Sequence, residues 1–506
     1  MDAAKVLRAL ERSFDRAFGA RVNPWRNLGA LSFWLFWLLA ATGIVLYVFF
    51  DTGVEGAYAS VERLTRDYPF SGGLLHSMHR YAADAFLAVV LLHLAKELVD
   101  GHFRRYRWFS WVSGLPLLWL MYASGMVGFW LAWDQLAQFS ATAAAEWFDV
   151  LGLTSEPIVR NFLAPGAVGD RLFTLFVFMH IGGPLFLLAG MWIHVKRIGQ
   201  PRTAAPRALA LGTLAMLVAM SLLWPVFSHA PANLARVPAE LELDWLYLSG
   251  HPLMYATSPA VLWLVAVGLT VMLGLLALAR GAAPQIVQVS AANCNGCGRC
   301  VADCPFAAVM LKPHPDRRGM RLAEVVPELC AGCGICAGAC PSSTPFRSTE
   351  RLVTGIDLPH RTVDAVRAEL ERKLEGMQGK APAVVFACDC AADAASIAGD
   401  ATAVVSLPCA GMLPPAFVEY AMRRGARAVM VNACREGECA YRLGDAWTSE
   451  RLAGTREPYL RASVARELLA FTGCARGEEA ALASGLAALR ARSASVHESR
   501  AAEGAA

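Results

Sequence analysis

The first 293 residues contain no cysteine, and charged residues make up only 17% of the chain. All 14 cysteines lie between Cys294 and Cys474. A disulfide-stabilised secreted domain would be small, and this chain has 506 residues. Metal binding in a reducing compartment explains the cysteine pattern better. The net charge of only +4 gives no support for nucleic-acid binding.

The N-terminus also lacks the apolar core of a secretory signal peptide. Residues 1–28 are basic and amphipathic instead, which predicts a helix at the membrane surface. Six apolar stretches follow, each long enough to cross a bilayer as a helix, and we expect an α-helical transmembrane bundle. They cover residues 30–50, 78–99, 110–132, 172–194, 208–227 and 258–280.

Basic residues are concentrated in alternate loops between these stretches. They are Lys5, Arg8, Arg12, Arg16, Arg21 and Arg26 before the first stretch, Lys96, Arg104, Arg105 and Arg107 after the second, and Lys196, Arg197, Arg202 and Arg207 after the fourth. By the positive-inside rule the N-terminus is cytoplasmic, and six spans return the chain to the cytoplasm after Arg280. We therefore expect a multi-pass protein of the cell inner membrane with both termini cytoplasmic.

Residues 294–305 are CNGCGRCVADCP and residues 330–341 are CAGCGICAGACP. Each is C-x2-C-x2-C-x3-C-P, the bacterial pattern in which the fourth cysteine binds the other of two clusters. The predicted [4Fe–4S] ligand sets are Cys294, Cys297, Cys300 and Cys340 for one cluster, and Cys330, Cys333, Cys336 and Cys304 for the other. A pair of zinc knuckles is the alternative.

Four histidines interrupt the second and fourth apolar stretches. His79 and His93 are 14 residues apart, and so are His180 and His194. Each pair therefore lies on one helix face, separated by about 21 Å along the axis. Because ionisable groups inside spans are rare, we predict two bis-histidine haems, with His79 opposite His180 and His93 opposite His194. For any one histidine, packing or a bond to water is the alternative.

Glycines repeat the same spacing in the first and third stretches. Gly29 and Gly43 are 14 residues apart, and so are Gly114 and Gly128. A haem edge that presses on a helix needs the missing side chain at both levels. Ordinary helix packing explains any single glycine equally well.

These stretches resemble cytochrome b of the bc and photosynthetic bf quinol-oxidising complexes. The resemblance covers about residues 20–200 and rests on NPWRNLGA, GGLLHSMHRYAADAFLAVVLLHL, GHFRRYRWFSWVSG, VGFWLAWDQ and LFTLFVFMHIGGP. It implies that His79 and His180 bind the haem nearer the outer face, and that His93 and His194 bind the haem nearer the cytoplasm.

The resemblance bears on three further residues. It implies that Arg80, next to its histidine as in the bf-type proteins, meets a haem propionate, although a snorkelling arginine is an equal alternative. Asn27 stands where the bf-type proteins carry a cysteine for an extra haem, so we expect no such haem. Residues 231–247 are similar to the family segment that ends in Pro-Glu-Trp-Tyr at the outer quinol site. Asp244 holds the place of the glutamate, which implies a proton acceptor for quinol, and the alternative is a solvated loop carboxylate.

Strand-like and helix-like runs alternate near the C-terminus and predict a small α/β domain. Strands are expected at 383–387, 403–407 and 428–433, and a helix at 414–425. Most of the remaining cysteines follow strand-like runs, so they would cluster at strand ends. No G-x-G-x-x-G or P-loop motif occurs, and we therefore predict no FAD or NAD site.

This domain resembles the delta subunit of methyl-viologen-reducing hydrogenase. The resemblance covers about residues 382–450 and rests on VVFACDC, SLPCAGMLPPAFVEYAMRRGARAVMV and NACREGECAYRLGD. It implies one [2Fe–2S] cluster on Cys409, Cys434 and Cys439, with either Cys388 or Cys390 as the fourth ligand. The alternative is a domain whose cysteines are inert. Cys474 is expected to be an ordinary core or surface thiol without a role in the cluster.

The predicted chain is therefore multi-domain: a helical haem-binding bundle, an α+β ferredoxin-like domain and a small α/β domain. The predicted boundaries are 1–28 for the amphipathic segment, 29–200 for the four-helix cytochrome b bundle, 201–284 for two further spans with the quinol-site loop, 285–350 for the ferredoxin domain, 351–380 for a linker helix, 381–478 for the hydrogenase-delta-like domain and 479–506 for a tail.

Two functional hypotheses follow from this order of domains. In the first, the chain links the quinone pool, through two b haems and the clusters, to a cytoplasmic partner such as a hydrogenase, a heterodisulfide-reductase-like enzyme or a formate dehydrogenase. In the second, the chain is an electron conduit and membrane anchor without its own quinone site. A redox sensor is a third idea, for which the chain offers no output domain. A homodimer is one arrangement of the complex.

Overall fold

The computed structural model describes residues 3–101, 103, 107–163, 167–196, 198, 201–237, 240–278, 285–347 and 350–505. Four basic residues of the orientation argument lie outside these described residues: Arg104, Arg105, Arg197 and Arg280. The chain divides into two compact units. The first is Met1–Lys196 with Pro201–Gly281, and the second is Arg197–Gln200 with Ala282–Ala506.

The first unit is helical. Its described part contains ten α-helices: α1 Ala3–Phe18, α2 Leu28–Phe49, α3 Ala57–Glu62, α4 Leu74–Val99, α5 Trp108–Leu131, α6 Gln135–Asp149, α7 Asp170–Lys196, α8 Arg207–Leu223, α9 Gly250–Ala256 and α10 Pro259–Leu276. Helix α2 packs along α4, and α5 packs along α7.

The bundle is apolar on both its inner and its outer surfaces. Leu35, Phe86 and Phe173 lie in its core, whereas Val48 and Phe49 on α2 are exposed, as side chains that face lipid would be. Four helices are long and apolar enough to cross a membrane, namely α2, α5, α7 and α10, within the described residues. Helix α4 has 26 residues but carries several charges, and α8 has 17. The expected count of six spans therefore stays a prediction beyond these four.

Helix α6 was not expected from the sequence. Asp134 caps its first turn by accepting a hydrogen bond from the backbone N–H of Ala137 at 2.8 Å, a favourable N-cap arrangement. The second carboxylate oxygen of Asp134 accepts from the N–H of His229, also at 2.8 Å. One buried side chain therefore ties α6 to the segment that follows α8.

The second unit combines short helices with strands. In chain order the elements are β1 Gln288–Val289, α11 Arg299–Ala302, β2 Val309–Pro313, β3 Arg321–Val325, α12 Ile335–Ala339, β4 Ile356–Asp357, α13 Val363–Glu375, β5 Ala383–Cys388, β6 Thr402–Leu407, α14 Ala416–Arg423, β7 Ala428–Ala433, α15 Gly444–Ala453, β8 Leu469–Gly473 and α16 Glu479–Ala505. Strands β1 and β4 pair antiparallel, and so do β2 and β3.

Helices α11 and α12 begin at equivalent places in the two cysteine motifs. Each starts after a glycine with a left-handed backbone: Gly298 has φ +80° and Gly334 has φ +75°. Two residues earlier, Gly296 and Gly332 have φ +67° and +66°. Glycine adopts this region without a steric penalty. The two loops therefore turn in the same way around their thiols.

The C-terminal part of this unit is a parallel four-stranded sheet with the order β6-β5-β7-β8. The three expected strands are present. The predicted tail after residue 478 forms helix α16, which packs on β7 and β8. Leu482, Leu486 and Leu489 of α16 lie in the same buried cluster as Val385 and Met430 of the sheet. This helix completes the domain because its apolar stripe covers one face of the sheet.

Candidate functional site

The rings of His79 and His180 face each other inside the bundle, with centroids 6.3 Å apart and planes at 71°. A metal–imidazole bond is about 2 Å long and a ring centre lies about 1 Å behind its nitrogen, so two rings that share one metal have centroids about 6 Å apart. The observed separation therefore fits a bis-histidine iron between the two rings.

Hydrogen bonds fix the orientation of both rings. Nδ1 of His180 lies 2.9 Å from the backbone oxygen of Ser124, which accepts its proton. Nδ1 of His79 lies 2.8 Å from Oγ1 of Thr42, whose own proton is directed to the carbonyl oxygen of Leu38 at 2.9 Å. Both Nδ1 atoms thus act as donors, which leaves Nε2 with a free lone pair for a metal.

The second pair of histidines has a similar support. Nδ1 of His194 lies 3.0 Å from Oγ of Ser113. His93 is close enough to His194 for the two rings to interact electrostatically. Both predicted pairs are therefore neighbours in the bundle, one level above the other along α4 and α7.

The four glycines of the repeated spacing each lie against one of these histidines. A Cβ atom placed on Gly43 would lie 3.1 Å from Cε1 of His79, and one on Gly128 would lie 2.8 Å from Cε1 of His180. The corresponding distances are 3.6 Å from Gly29 to His93 and 3.4 Å from Gly114 to His194. The glycines make room for the imidazole rings, a finding more specific than the haem edge expected from spacing.

Arg80 and Asp244 form a buried ion pair. The guanidinium of Arg80 pairs with Asp244 and also with Asp84, the latter at 2.6 Å, and it stacks over the ring of Phe129 at 4.4 Å. Asp244 is not a solvated loop carboxylate, because its side chain is only 3% exposed. Its other oxygen accepts from the backbone of Tyr247. Both carboxylate oxygens are therefore engaged.

Two cavities in the second unit separate the eight motif cysteines into two sets of four. The first is lined by Cys294, Cys297, Cys300 and Cys340. The second is lined by Cys304, Cys330, Cys333 and Cys336. The fourth cysteine of each motif thus lies in the cavity of the other motif, as the spacing predicted. This arrangement fits two clusters that exchange one ligand each.

Burial disfavours the charged form of the thiols in both cavities. Within the described part of the chain, no three His, Cys, Asp or Glu side chains converge closely enough to hold one metal ion. Burial and the neighbouring thiols of the first set raise the pKa of Cys300 to about 12. Burial likewise raises the pKa of Cys336 well above its usual value. Such thiols become thiolates only when bound iron supplies positive charge.

A third group of cysteines lies at the carboxyl edge of the parallel sheet. Cys388 ends β5, Cys409 follows β6 and Cys434 follows β7, which brings residues far apart in sequence together. The sulfurs of Cys388 and Cys434 are 3.8 Å apart. Hydrogen bonds from Cys390, and then from Cys409 and Cys434, lower the pKa of Cys388. Loops beyond the carboxyl ends of parallel strands are the usual ligand-binding edge of such sheets.

Helix α15 begins at this third group. A side chain on its first residue, Gly444, would collide with the sulfur of Cys409 and would lie 3.3 Å from that of Cys439. Hydrogen bonds from Cys409 and Cys434, with further ones from the backbone of Asp445 and Tyr441, lower the pKa of Cys439 to about 3. A helix N-terminus favours negative charge. Thiolates are therefore favoured at Cys388 and Cys439, whereas their hydrogen bonds to these two sulfurs raise the pKa of Cys409 and Cys434.

Cys388 lies closer to the centre of this group than Cys390 does. Cys388 is buried and interacts with Cys390, Cys409 and Cys434, whereas Cys390 is half-buried and interacts with Cys388 and Cys439. Cys474 directly follows β8 and is buried in the apolar cluster under α16. Of the two candidates for the fourth ligand, the geometry favours Cys388.

Two hydroxyl residues that support the histidines could have been identified from the sequence. Thr42 and Ser113, the hydroxyl partners of His79 and His194, each directly precede one of the spaced glycines. A hydroxyl residue before glycine at two levels was therefore visible in the sequence. Gly444 had no such signal, because its neighbours Cys409 and Cys439 become its neighbours only in the folded sheet.

Comparisons with protein families divide the chain into three parts. A family model described as cytochrome b/b6/petB matches residues 14–200. One described as a 4Fe-4S dicluster domain matches residues 293–344, and one described as the methyl-viologen-reducing hydrogenase delta subunit matches residues 383–492. The predicted order of the three domains is thereby confirmed. The cytochrome b match implies haem b, and the 4Fe-4S match implies iron–sulfur clusters.

Individual proteins match mainly the first unit. A cytochrome b of Rhodospirillum rubrum is 27% identical over 262 residues, which cover 46% of this chain and 64% of the relative. A cytochrome b/c1 of Bradyrhizobium diazoefficiens is 25% identical over 263 residues, covering 46% and 38%. The chain thus spans less than two thirds of the length of these relatives. A solved chain titled Hyperthermophilic respiratory Complex III shares 20% identity at a TM-score of 0.42, covering 55% of this chain and 80% of that chain.

Proposed function

We propose that this chain, which joins a cytochrome b domain to a 4Fe-4S dicluster domain and a hydrogenase-delta-like domain, is a membrane-bound electron-transfer subunit. It would link the quinone pool to a cytoplasmic redox enzyme. The observation that supports this most is the pair of opposed histidines, His79 and His180, in the same chain as three groups of clustered thiols. Bound haem and iron–sulfur clusters supply one-electron transfer, and the protein sets their spacing and potentials.

In this proposal each histidine pair holds one haem b. His79 and His180 bind one of them and His93 and His194 bind the other, with Nε2 as the ligand atom. The hydrogen bonds at Nδ1 orient the rings and raise their basicity. Helices α2 and α5 also border these sites. Their four glycines lie against the histidines and leave room for the rings.

The two cysteine-lined cavities are proposed to hold two [4Fe–4S] clusters, and the strand-end thiols one [2Fe–2S] cluster. For the third site the proposed ligands are Cys388, Cys409, Cys434 and Cys439. The chain's part in electron transfer is to keep these thiols converged and to exclude water from them. The proposed partner is a hydrogenase, a heterodisulfide-reductase-like enzyme or a formate dehydrogenase, and the complex is proposed to be a homodimer at the inner membrane with both termini cytoplasmic.

The link to quinone depends on Asp244. As a proton acceptor it would have to exchange Arg80 for a quinol hydroxyl, because both of its oxygens are engaged. This engagement favours the second candidate function, an electron conduit and anchor in which Asp244 serves only to hold Arg80. The two candidates differ in whether quinol reduces the haems directly.

An Asp244→Asn variant of the purified full-length protein separates them. Quinol is mixed with oxidised protein, and haem absorbance is followed in a stopped-flow instrument. General-base catalysis contributes about 10²–10⁴-fold, so loss of the proton acceptor should slow haem reduction at least a hundredfold. The exposed carboxylate Asp67 provides a control as Asp67→Asn. Unchanged reduction by quinol in Asp244→Asn would remove this residue from quinol chemistry and would require a quinone site elsewhere in the chain. Failure of quinol to reduce the haems of the unmodified protein would instead support the conduit.

A further inference from the structure

The dicluster segment and the C-terminal domain, both within the second unit, meet with backbone against backbone. A side chain on Gly338 of α12 would collide with the carbonyl oxygen of Gly411, which lies two residues after Cys409. Nη1 of Arg442 donates to the carbonyl oxygen of Pro305 at 2.6 Å. The electrostatic neighbours of Cys333, a member of the second cavity, include Cys439 of the strand-end group. The two metal sites therefore adjoin.

Arg451 of α15 lies at this junction. Its side chain is 1% exposed, which makes it one of the most deeply buried charged groups in the described residues. Nη1 donates to the carbonyl oxygen of Gly411 at 2.8 Å, and Nη2 pairs with Asp303. Asp303 directly precedes Cys304 and lines the second cavity but not the first. The guanidinium thus contacts both sites, since it pairs with Asp303 at the second cavity and donates to the backbone next to the strand-end group.

The buried carboxylate that pairs with Arg451 is shared with a second guanidinium group. Asp303 also pairs with Arg456, so one buried carboxylate faces two guanidinium groups. Glu450 pairs with Arg456 at 3.3 Å but is 45% exposed, so solvent screens it. Nε of Arg451 has no hydrogen-bond partner among the described residues. A buried cation that is only partly paired is costly to keep, unless it stabilises negative charge close by.

We propose that Arg451 tunes the reduction potentials at this junction. Its buried positive charge stabilises the reduced, more negative state of the centre at Cys388, Cys409, Cys434 and Cys439, and to a smaller degree that of the centre in the second cavity. Asp303 lies between Arg451 and Cys304, so it weakens the effect on the second cavity. The result favours passage of electrons from the second cavity to the strand-end group. This inference rests on the proposed function, since it assumes iron–sulfur clusters at both sites.

Redox titrations of the full-length protein, monitored by EPR, test this inference. In Arg451→Gln we expect the equilibrium constant for reduction of the strand-end centre to fall about tenfold, which is 59 mV for a one-electron couple. The centre in the second cavity should shift less in the same direction, and the centre in the first cavity should stay unchanged as an internal reference. Arg451→Lys keeps the charge and should restore most of the shift.

Arg456→Gln provides a matched control, because Arg456 shares Asp303 but is 23% exposed and should have a smaller effect. Should Arg451→Gln fail to bind its clusters, the double variant Asp303→Asn with Arg451→Gln removes the buried pair as a whole and should still lower the strand-end potential. Equal shifts in all three centres, or no shift in a fully loaded variant, would overturn the role of Arg451. Absence of a [2Fe–2S] signal from the unmodified protein would instead refute the third cluster of the proposed function.

Discussion

Replacing Gly128 by alanine places a methyl group where the ring of His180 already lies. The added Cβ would be 2.8 Å from Cε1 of that ring. The ring cannot turn away, because its Nδ1 is hydrogen-bonded to the backbone of Ser124 at 2.9 Å. In the proposed site its Nε2 is held by iron as well. At Gly114 the same substitution brings Cβ to 3.4 Å from Cε1 of His194, an ordinary contact distance.

The expected effect follows from the difference of 0.6 Å between these two Cβ–Cε1 distances. Overpacking a close-packed site costs about 1–3 kcal/mol. This energy corresponds to about a 5- to 150-fold loss in an equilibrium constant, here the affinity for haem at the level of His180. For Gly114→Ala the contact needs little adjustment, and we expect less than a threefold loss at the level of His194.

Haem content per purified protein and a spectroscopic redox titration measure both effects. Gly128→Ala should lose or shift one of two b-type components, and Gly114→Ala should keep both. The two variants change the same residue type on the same helix, so each controls for the helix propensity of the other. Equal loss of haem in both, or full retention of both components in Gly128→Ala, would refute the argument from ring contact.

Further expectations concern the clusters and the last helix. Cys304→Ser should remove the EPR signal of the second cavity and Cys340→Ser that of the first, because each lies in the cavity of the opposite motif; loss of the same signal from both would contradict the exchange. Cys388→Ser should abolish a [2Fe–2S] signal that Cys390→Ser retains, and the reverse result would reassign the ligand. Truncation after residue 478 removes three buried leucines, each of which contributes about 1.5–3 kcal/mol to the free energy of unfolding. A protease should therefore digest the C-terminal domain of the truncated protein. An intact domain would show that α16 is dispensable.

The sequence sufficed for features that depend on fixed spacing along one element. His79 and His93 lie on one face of a helix because 14 residues are close to four turns, and the structure keeps both next to their expected neighbours on α7. The cysteine motifs are similar, since short loops place three thiols together. The eight cysteines divide between two cavities because the fourth cysteine of each motif lies with the first three of the other motif.

Features that depend on distant segments meeting could not be predicted in this way. The pairing of Asp244 with Arg80 joins residues 164 positions apart, and that of Arg451 with Asp303 joins residues 148 apart. The sequence also could not show that residues 479–506 pack on the sheet, because an alanine-rich run has the same composition whether or not a sheet is there to receive its leucines. In each case the contacts between distant segments of the folded chain determined the structure.

The position of the third thiol group has a consequence for how the protein matures. Cys388, Cys409 and Cys434 meet only after three parallel strands have paired, and parallel pairing forms non-local contacts that close late in folding. The apolar cluster beneath them is formed by side chains other than these three cysteines. The C-terminal domain should therefore fold first as an apoprotein and receive its iron afterwards. The loop of Cys294–Cys300, by contrast, presents three thiols within one short peptide, so it can bind iron while the surrounding chain is still unfolded.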